Sequence, residues 1–446
     1  MAFIRWSFLA IAAACAACPG PASGEGSFPY KYRASELANG LKVVAVPMDS
    51  PGLVAYWTIV RTGSRDEVEP GKSGFAHFFE HMMFRGTRKY PAPVYEDIVT
   101  GLGAAANAYT TDDYTAYHLQ FAKEGLETVM AIESDRFRNL DYSEEAFQTE
   151  AGAIYGEYRK SVTQPFFFLE EKLRDTAYNV HTYKHTTMGF EADVKAMPGG
   201  YQYSRSFFER FYRPENTTLL IVGDVDPSTI FALAKKYYGD WQPGYTPSLV
   251  KPEPPQQGER YAEVSYPGPT LPILTVAYHG TALDPGNRDF AAARLLEDLA
   301  FGQSSPLYNK LVLEEQKVEF LYANFPLNRD APLFEVSAMV KKMEDIPYVR
   351  EEISRTLENF KTEPIDPARL EAVKSHDKYG FLMRLDAPNR VAEALARFIG
   401  VAGGVDVVDQ LFCQMQQVTP QDIMRATKKY FDASRRTVVV LKGVQR

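Results

Sequence analysis

Three cysteines stand among 446 residues, at positions 15, 18 and 413. Two of them fall in an amino-terminal segment that reads as an export signal. A zinc site built from thiolates is therefore excluded, and any zinc must rest on histidine and carboxylate. An excess of basic charge is also lacking. Lys and Arg total 49 against 57 Asp and Glu, a formal net charge of −8, and the cationic face that a nucleic-acid partner requires is not expected. No apolar run after the amino terminus approaches the roughly 20 residues that span a bilayer, so no transmembrane segment is expected. Histidine is rare as well, with seven in the chain, so a spacing pattern among them carries information.

What is present begins with that amino terminus. Arg5 is followed by an apolar, alanine-rich run over 6–17, then by Pro19, Gly20 and small residues through Gly24. This is the pattern of a signal peptide over residues 1–24, and it implies export, with the periplasm as the expected compartment. Ala-Ala-Cys at Cys15 and at Cys18 leaves a lipoprotein anchor as the alternative. Residues 242–260 hold five prolines and no apolar period, which marks a linker between an amino-terminal domain over 27–241 and a carboxy-terminal domain over 261–446. The two parts end alike: FFERFYRPENTTLLIVGDV (207–225) and DIMRATKKYFDASRRTVVVLKGV (422–444) each run from a helix through a polar turn into an apolar strand that reaches Gly223 or Gly443. They also start alike, with strands LKVVAVP (41–47) and YAEVSYP (261–267). The expected fold class is α+β: two homologous α/β half-domains, each a mostly antiparallel sheet flanked by helices.

The chemistry gathers at His77-Phe78-Phe79-Glu80-His81. A helix is expected over 74–84, with Ser73 as its N-cap and Gly86 as its stop. Histidines at i and i+4 project from one helix face and can share one ion. Glu80 lies near that face, where a carboxylate can take the proton of a metal-activated water. The pattern is the inverted zincin signature. The competing reading is a helix with stacked, exposed histidines; the flanking Phe75, Phe78, Phe79 and Phe84 argue instead for a buried helix, where unpaired His and Glu are costly. A catalytic zinc needs a third protein ligand and one open position. Glu150 and Glu157 sit seven apart on a helix expected over 143–160 with Ser143 as N-cap. One could bind the ion while the other supports it, although the same spacing also suits a solvated helix face.

H-x-x-E-H followed downstream by E-x6-E resembles the pitrilysin/insulinase family of zinc peptidases. The resemblance continues through Gly74–Thr87, through Asn107-Ala108-Tyr109-Thr110 with Tyr114-Thr115-Ala116-Tyr117, and through Tyr212, Pro214 and Asn216. It implies one Zn2+ per chain bound by His77, His81 and Glu157, with Glu80 as general base and Glu150 as the supporting carboxylate. It also implies a strand carrying Asn107, Ala108 and Tyr109 that binds peptide substrates by edge pairing. One departure stands out. Where many members place a substrate-binding Arg after a Ser-Ser pair, Ser304-Ser305 is followed by Pro306, and the accompanying Tyr has two candidates, Phe320 and Tyr322. The second half has no H-x-x-E-H. The chain thus resembles the metal-binding subunit of bacterial two-subunit members, in which a homologous partner supplies the Arg/Tyr pair; a homodimer is the variant of that expectation. The alternative is a non-catalytic scaffold with a vestigial zinc site. His118 is expected to be structural, His181 and His185 to lie in a loop without metal, and Phe166-Phe167-Phe168 to be core or the lining of a substrate chamber.

Overall fold

The computed structural model describes residues 27–444; the signal-peptide reading of residues 1–24 lies outside them. Among the described residues, eleven strands form two sheets. The first contains β1 (Arg33–Glu36), β2 (Lys42–Pro47), β3 (Leu53–Val60), β4 (Ala105–Thr110), β5 (Thr115–Ala122) and β6 (Thr217–Gly223), in the order β1-β2-β6-β3-β5-β4. The second contains β7 (Arg260–Tyr266), β8 (Ile273–His279), β9 (Val318–Asn324), β10 (Leu333–Val340) and β11 (Arg436–Gly443), in the order β7-β11-β8-β10-β9.

Without β1, the two orders superpose strand for strand. Each half has one parallel pair, β2 with β6 and β7 with β11, and its other pairings are antiparallel. The duplicated α+β architecture expected from the matching chain ends is therefore present. Fully buried strands such as β6, with all seven residues inside, read as continuous Leu/Ile/Val runs because helices cover both faces.

The covering helices are exchanged between the halves. The zinc-motif helix lies on one face of the first sheet within its own half, and Glu144–Ser161 packs on that helix. The opposite face is covered by Pro388–Ala402 from the second half, an amphipathic helix whose apolar side packs on Trp57, Ile59 and Leu220. Arg61 Nε and Nη2 donate to the carbonyls of Gly400 and Val401, each at 3.1 Å. A Cβ at Gly400 would lie 2.4 Å from the Tyr114 ring, so only glycine permits this approach. Conversely, Pro165–Ala177 from the first half packs its Leu169 and Leu173 on Ile273, Val439 and Leu441 of the second sheet. Residues 241–259 form neither helix nor strand, yet they are tied down: the Glu253 carboxylate accepts the N–H groups of Asn179, Val180 and His181 at 2.8, 2.8 and 3.1 Å.

Candidate metal centre

The motif helix runs Phe75–Met82 and continues as a single 3₁₀ turn to Arg85 before Gly86 stops it. Ser73 does not cap it. The Ser73 hydroxyl donates to Asp193 at 2.6 Å and accepts the Phe190 N–H at 2.8 Å. The helix N-terminus is held instead by Glu67, whose buried carboxylate accepts the N–H groups of Gly74 at 2.7 Å and Ala76 at 2.6 Å. Gly74 takes φ 94° and so turns the chain into the helix. Burial pushes the Glu67 carboxyl well above its ordinary range, against the two N–H donors, which favour the anion. Phe75, Phe78 and Phe79 face the core, where Phe79 stacks on Phe207 with ring centroids 5.2 Å apart. The Tyr117 hydroxyl donates to the Phe79 carbonyl at 3.1 Å and joins the helix to β5.

With its aromatic residues anchored, the helix projects His77 and His81 toward the second helix, Glu144–Ser161. Ser143 caps that helix as expected, accepting the Ala146 N–H at 3.1 Å. Glu157 Oε2 lies 3.8 Å from His77 Nε2 and 3.4 Å from His81 Nε2. These three donor atoms lie within 4.8 Å of one another, and among the described residues no other such group could hold a metal ion.

The surroundings tune each donor. Burial, and then the nearby His81, push the His77 imidazole down to about 3, so it is neutral at pH 7 and free to use its lone pair. His81 Nδ1 lies 3.0 Å from Glu150 Oε1. That hydrogen bond is the main cause of a raised His81 pKa. It assigns the ring proton to Nδ1 and turns Nε2 toward Glu157. Glu150 is itself gripped by Arg85, whose Nε donates to Oε2 at 2.6 Å. Burial raises the Glu150 carboxyl, but the bonds from His81 and Arg85 outweigh it, and the net shift is downward.

Glu80 is not in the donor group. It faces a cavity of about 330 Å³ lined by His81, Phe84, Arg85, Asn107, Ala108 and Glu150. Thr110 Oγ1 donates to Glu80 Oε2 at 2.7 Å. Burial raises the Glu80 pKa against that bond, which makes it a better proton acceptor than a solvated glutamate. Thr110 ends β4, an edge strand whose one partner is β5. Its second edge is open for an extended chain. Asn107 and Ala108 line the cavity, whereas the Tyr109 side chain turns to the other face of the sheet. There it packs against Trp57 with centroids 6.0 Å apart, and its hydroxyl is 3.2 Å from that of Tyr114.

The remaining candidates scatter. His118 stacks on Trp57 at 4.4 Å. His181 bonds Asp330, and His185 bonds the Thr186 carbonyl. Pro306 opens a one-turn helix capped by Ser305. Phe166 is partly exposed and packs on Phe320 with centroids 5.5 Å apart, and Phe320 is followed along β9 by the exposed Tyr322. Phe167 and Phe168 pack on Tyr158 and Tyr266. Sequence reasoning missed Glu67, Arg85 and Thr110. Of these, Arg85 had a usable signal, since it stands four residues beyond His81 on the same helical path.

Residues 43–191 match the family described as Insulinase (Peptidase family M16), and residues 201–376 match the family described as Peptidase M16 inactive domain. Zinc protease PqqE of Helicobacter pylori is 28% identical over 422 residues, which cover 93% of this chain and 94% of that protein. The crystal structure of a protease from Helicobacter pylori matches with a TM-score of 0.87 at 28% identity, covering 93% of this chain and 99% of that one. The periplasmic protease PqqL from Escherichia coli shares the fold, with a TM-score of 0.78 at 20% identity, over 96% of this chain and 48% of its own. Between them the two matched segments reach from β2 to β10, and the chain belongs to the insulinase, or M16, family of peptidases.

Proposed function

We propose that this chain is a zinc-dependent peptidase in which His77, His81 and Glu157 hold the ion and Glu80 is the general base. The observation that carries this reading is the convergence of three donor atoms within 4.8 Å, beside a raised carboxyl that belongs to none of them. Two imidazoles, which bind zinc in their neutral form, and one carboxylate suit zinc and leave a fourth position open. When bound, zinc supplies Lewis-acid polarisation of the scissile carbonyl and acidifies water at that position.

The protein's own groups do the rest. A substrate strand pairs along the open edge of β4, so its main chain, rather than any one side chain, sets its position. Glu80, oriented by Thr110, takes the proton of the attacking water and returns it to the departing amine. Glu150 and Arg85 keep the His81 ring in its binding orientation.

The chain is proposed to be exported, in keeping with its amino-terminal pattern and with the periplasmic location named for PqqL. It is also proposed to work with a homologous partner chain, or with a second copy of itself. Pro306 has neither charge nor donor and cannot serve as the substrate-binding Arg. The same proline favours the second reading, a non-catalytic scaffold.

Digestion of a mixed peptide pool by the zinc-loaded chain, alone and with candidate partners, separates the two. Cleavage should stop when a chelator strips the metal and return when zinc is restored. A metal-bearing chain that cleaves nothing in any pairing would favour the scaffold.

A further inference from the structure

The connection between β9 and β10 leaves the second half and docks in the first. Asp330 Oδ2 accepts from Arg65 Nε at 2.5 Å and lies 3.0 Å from His181 Nε2. The Asp330 N–H donates to the Tyr183 hydroxyl at 3.2 Å, and that hydroxyl donates to Asp113 Oδ1 at 2.7 Å. Arg329 donates its N–H to Asp113 Oδ2 and its Nη1 to the Arg61 carbonyl, both at 3.0 Å. Asp66, Asp113 and His181 are all buried. Polar groups at such depth are costly unless hydrogen-bonded, so the loop and its receptor hold each other in one geometry.

Two segments of the receptor lead directly to the metal centre. Residues 61–66 run into Glu67, which caps the motif helix through Gly74 and Ala76. Residues 111–113 follow Thr110, which holds Glu80. The two segments are also bonded to each other: Arg65 N–H donates to the Asp112 carbonyl at 2.8 Å, and the Ser64 hydroxyl donates to the Asp112 carboxylate at 3.0 Å. A shift of one therefore moves the other, and with it either the helix that bears His77 and His81 or the strand that orients Glu80.

We propose that the loop Leu327–Ala331 of the second half is a positioning strut for the metal centre, with Asp330 and Arg329 as its contact residues. This gives the half without metal ligands a part in the site of the other half. The inference rests on the reading of His77, His81 and Glu157 as zinc ligands. Asp330 and Arg329 are positioning residues, since they act through Arg65, Asp113, Glu67 and Thr110.

The test compares zinc affinity, by competition with a chromophoric chelator, in the full chain and in Asp330→Ala. Glu259→Gln serves as a control, because Glu259 joins Arg350 and Arg436 in a similar ion-pair cluster away from this loop. Coupling through one such contact network predicts a fall of about fivefold in Asp330→Ala, with secondary structure unchanged and kcat reduced more than KM is altered. The control should stay within about twofold of the wild type. Affinity within about twofold in Asp330→Ala, or an equal loss in Glu259→Gln, would overturn the strut. Should Asp330→Ala fail to fold, Tyr183→Phe removes the one hydroxyl that joins the Asp330 N–H to Asp113, and the same thresholds apply. A wild-type chain that binds zinc yet cleaves no peptide, alone or in any pairing, would end the catalytic reading, while the affinity comparison would still decide the strut.

Discussion

Replacing Glu80 by Gln is expected to lower kcat by about 10³-fold, within the range of about 10²–10⁴ that a positioned general base contributes, and to leave zinc content and KM almost unchanged. The amide keeps the shape of the side chain and can still accept from Thr110 Oγ1, now 2.7 Å from Glu80 Oε2, but it cannot take a proton at neutral pH. Because the donor group is His77, His81 and Glu157, metal binding should not follow activity downward. Steady-state kinetics with metal analysis on the same sample checks both halves of the expectation. Undiminished turnover would remove Glu80 from the mechanism, and loss of zinc in parallel would make Glu80 a ligand.

The second large effect is expected at Glu157. Loss of a group that only supports a ligand typically weakens metal binding by about 10–100-fold, so loss of a ligand should weaken it by about 100-fold or more. Glu157→Gln replaces an anionic oxygen by a neutral one at 3.4 Å from His81 Nε2 and 3.8 Å from His77 Nε2. The side chain is 43% exposed, so the metal-free fold should change by no more than about 0.5 kcal/mol, as for other surface substitutions. Chelator competition reads the first quantity and urea unfolding of the metal-free protein reads the second. A large stability loss without a change in affinity would recast Glu157 as a structural residue.

How much of this was legible beforehand differs from residue to residue. His77, Glu80 and His81 were readable because their spacing is local and a helix converts it directly into a shared face. Ser143 was readable for the same reason, since its bond to the Ala146 N–H spans three residues. The paired chain ends around Gly223 and Gly443 disclosed the duplication, which the repeated strand order bears out.

Ser73 shows where local reading stops. It carries a sound N-cap signal, but its hydroxyl is taken by Asp193 and Phe190, more than a hundred residues away, and a buried Glu67 does its work. Thr110 and Arg85 were missed because their carboxylate partners, Glu80 and Glu150, lie 30 and 65 residues away. Alternation does place the Tyr109 side chain opposite Ala108, but nothing local says which face meets the cavity. The helix exchange was equally hidden. The pattern of Pro388–Ala402 announces one apolar face, yet whether that face meets the sheet of its own half or of the other depends on tertiary packing.

The most direct test is the anomalous scattering of a crystal of the full chain grown with zinc, recorded on both sides of the zinc absorption edge. One peak per chain between the Nε2 atoms of His77 and His81 and the Glu157 carboxylate, about 2.0–2.2 Å from each, is the predicted result. A peak at other residues, or none at this triad while zinc occupies another site, would contradict the account.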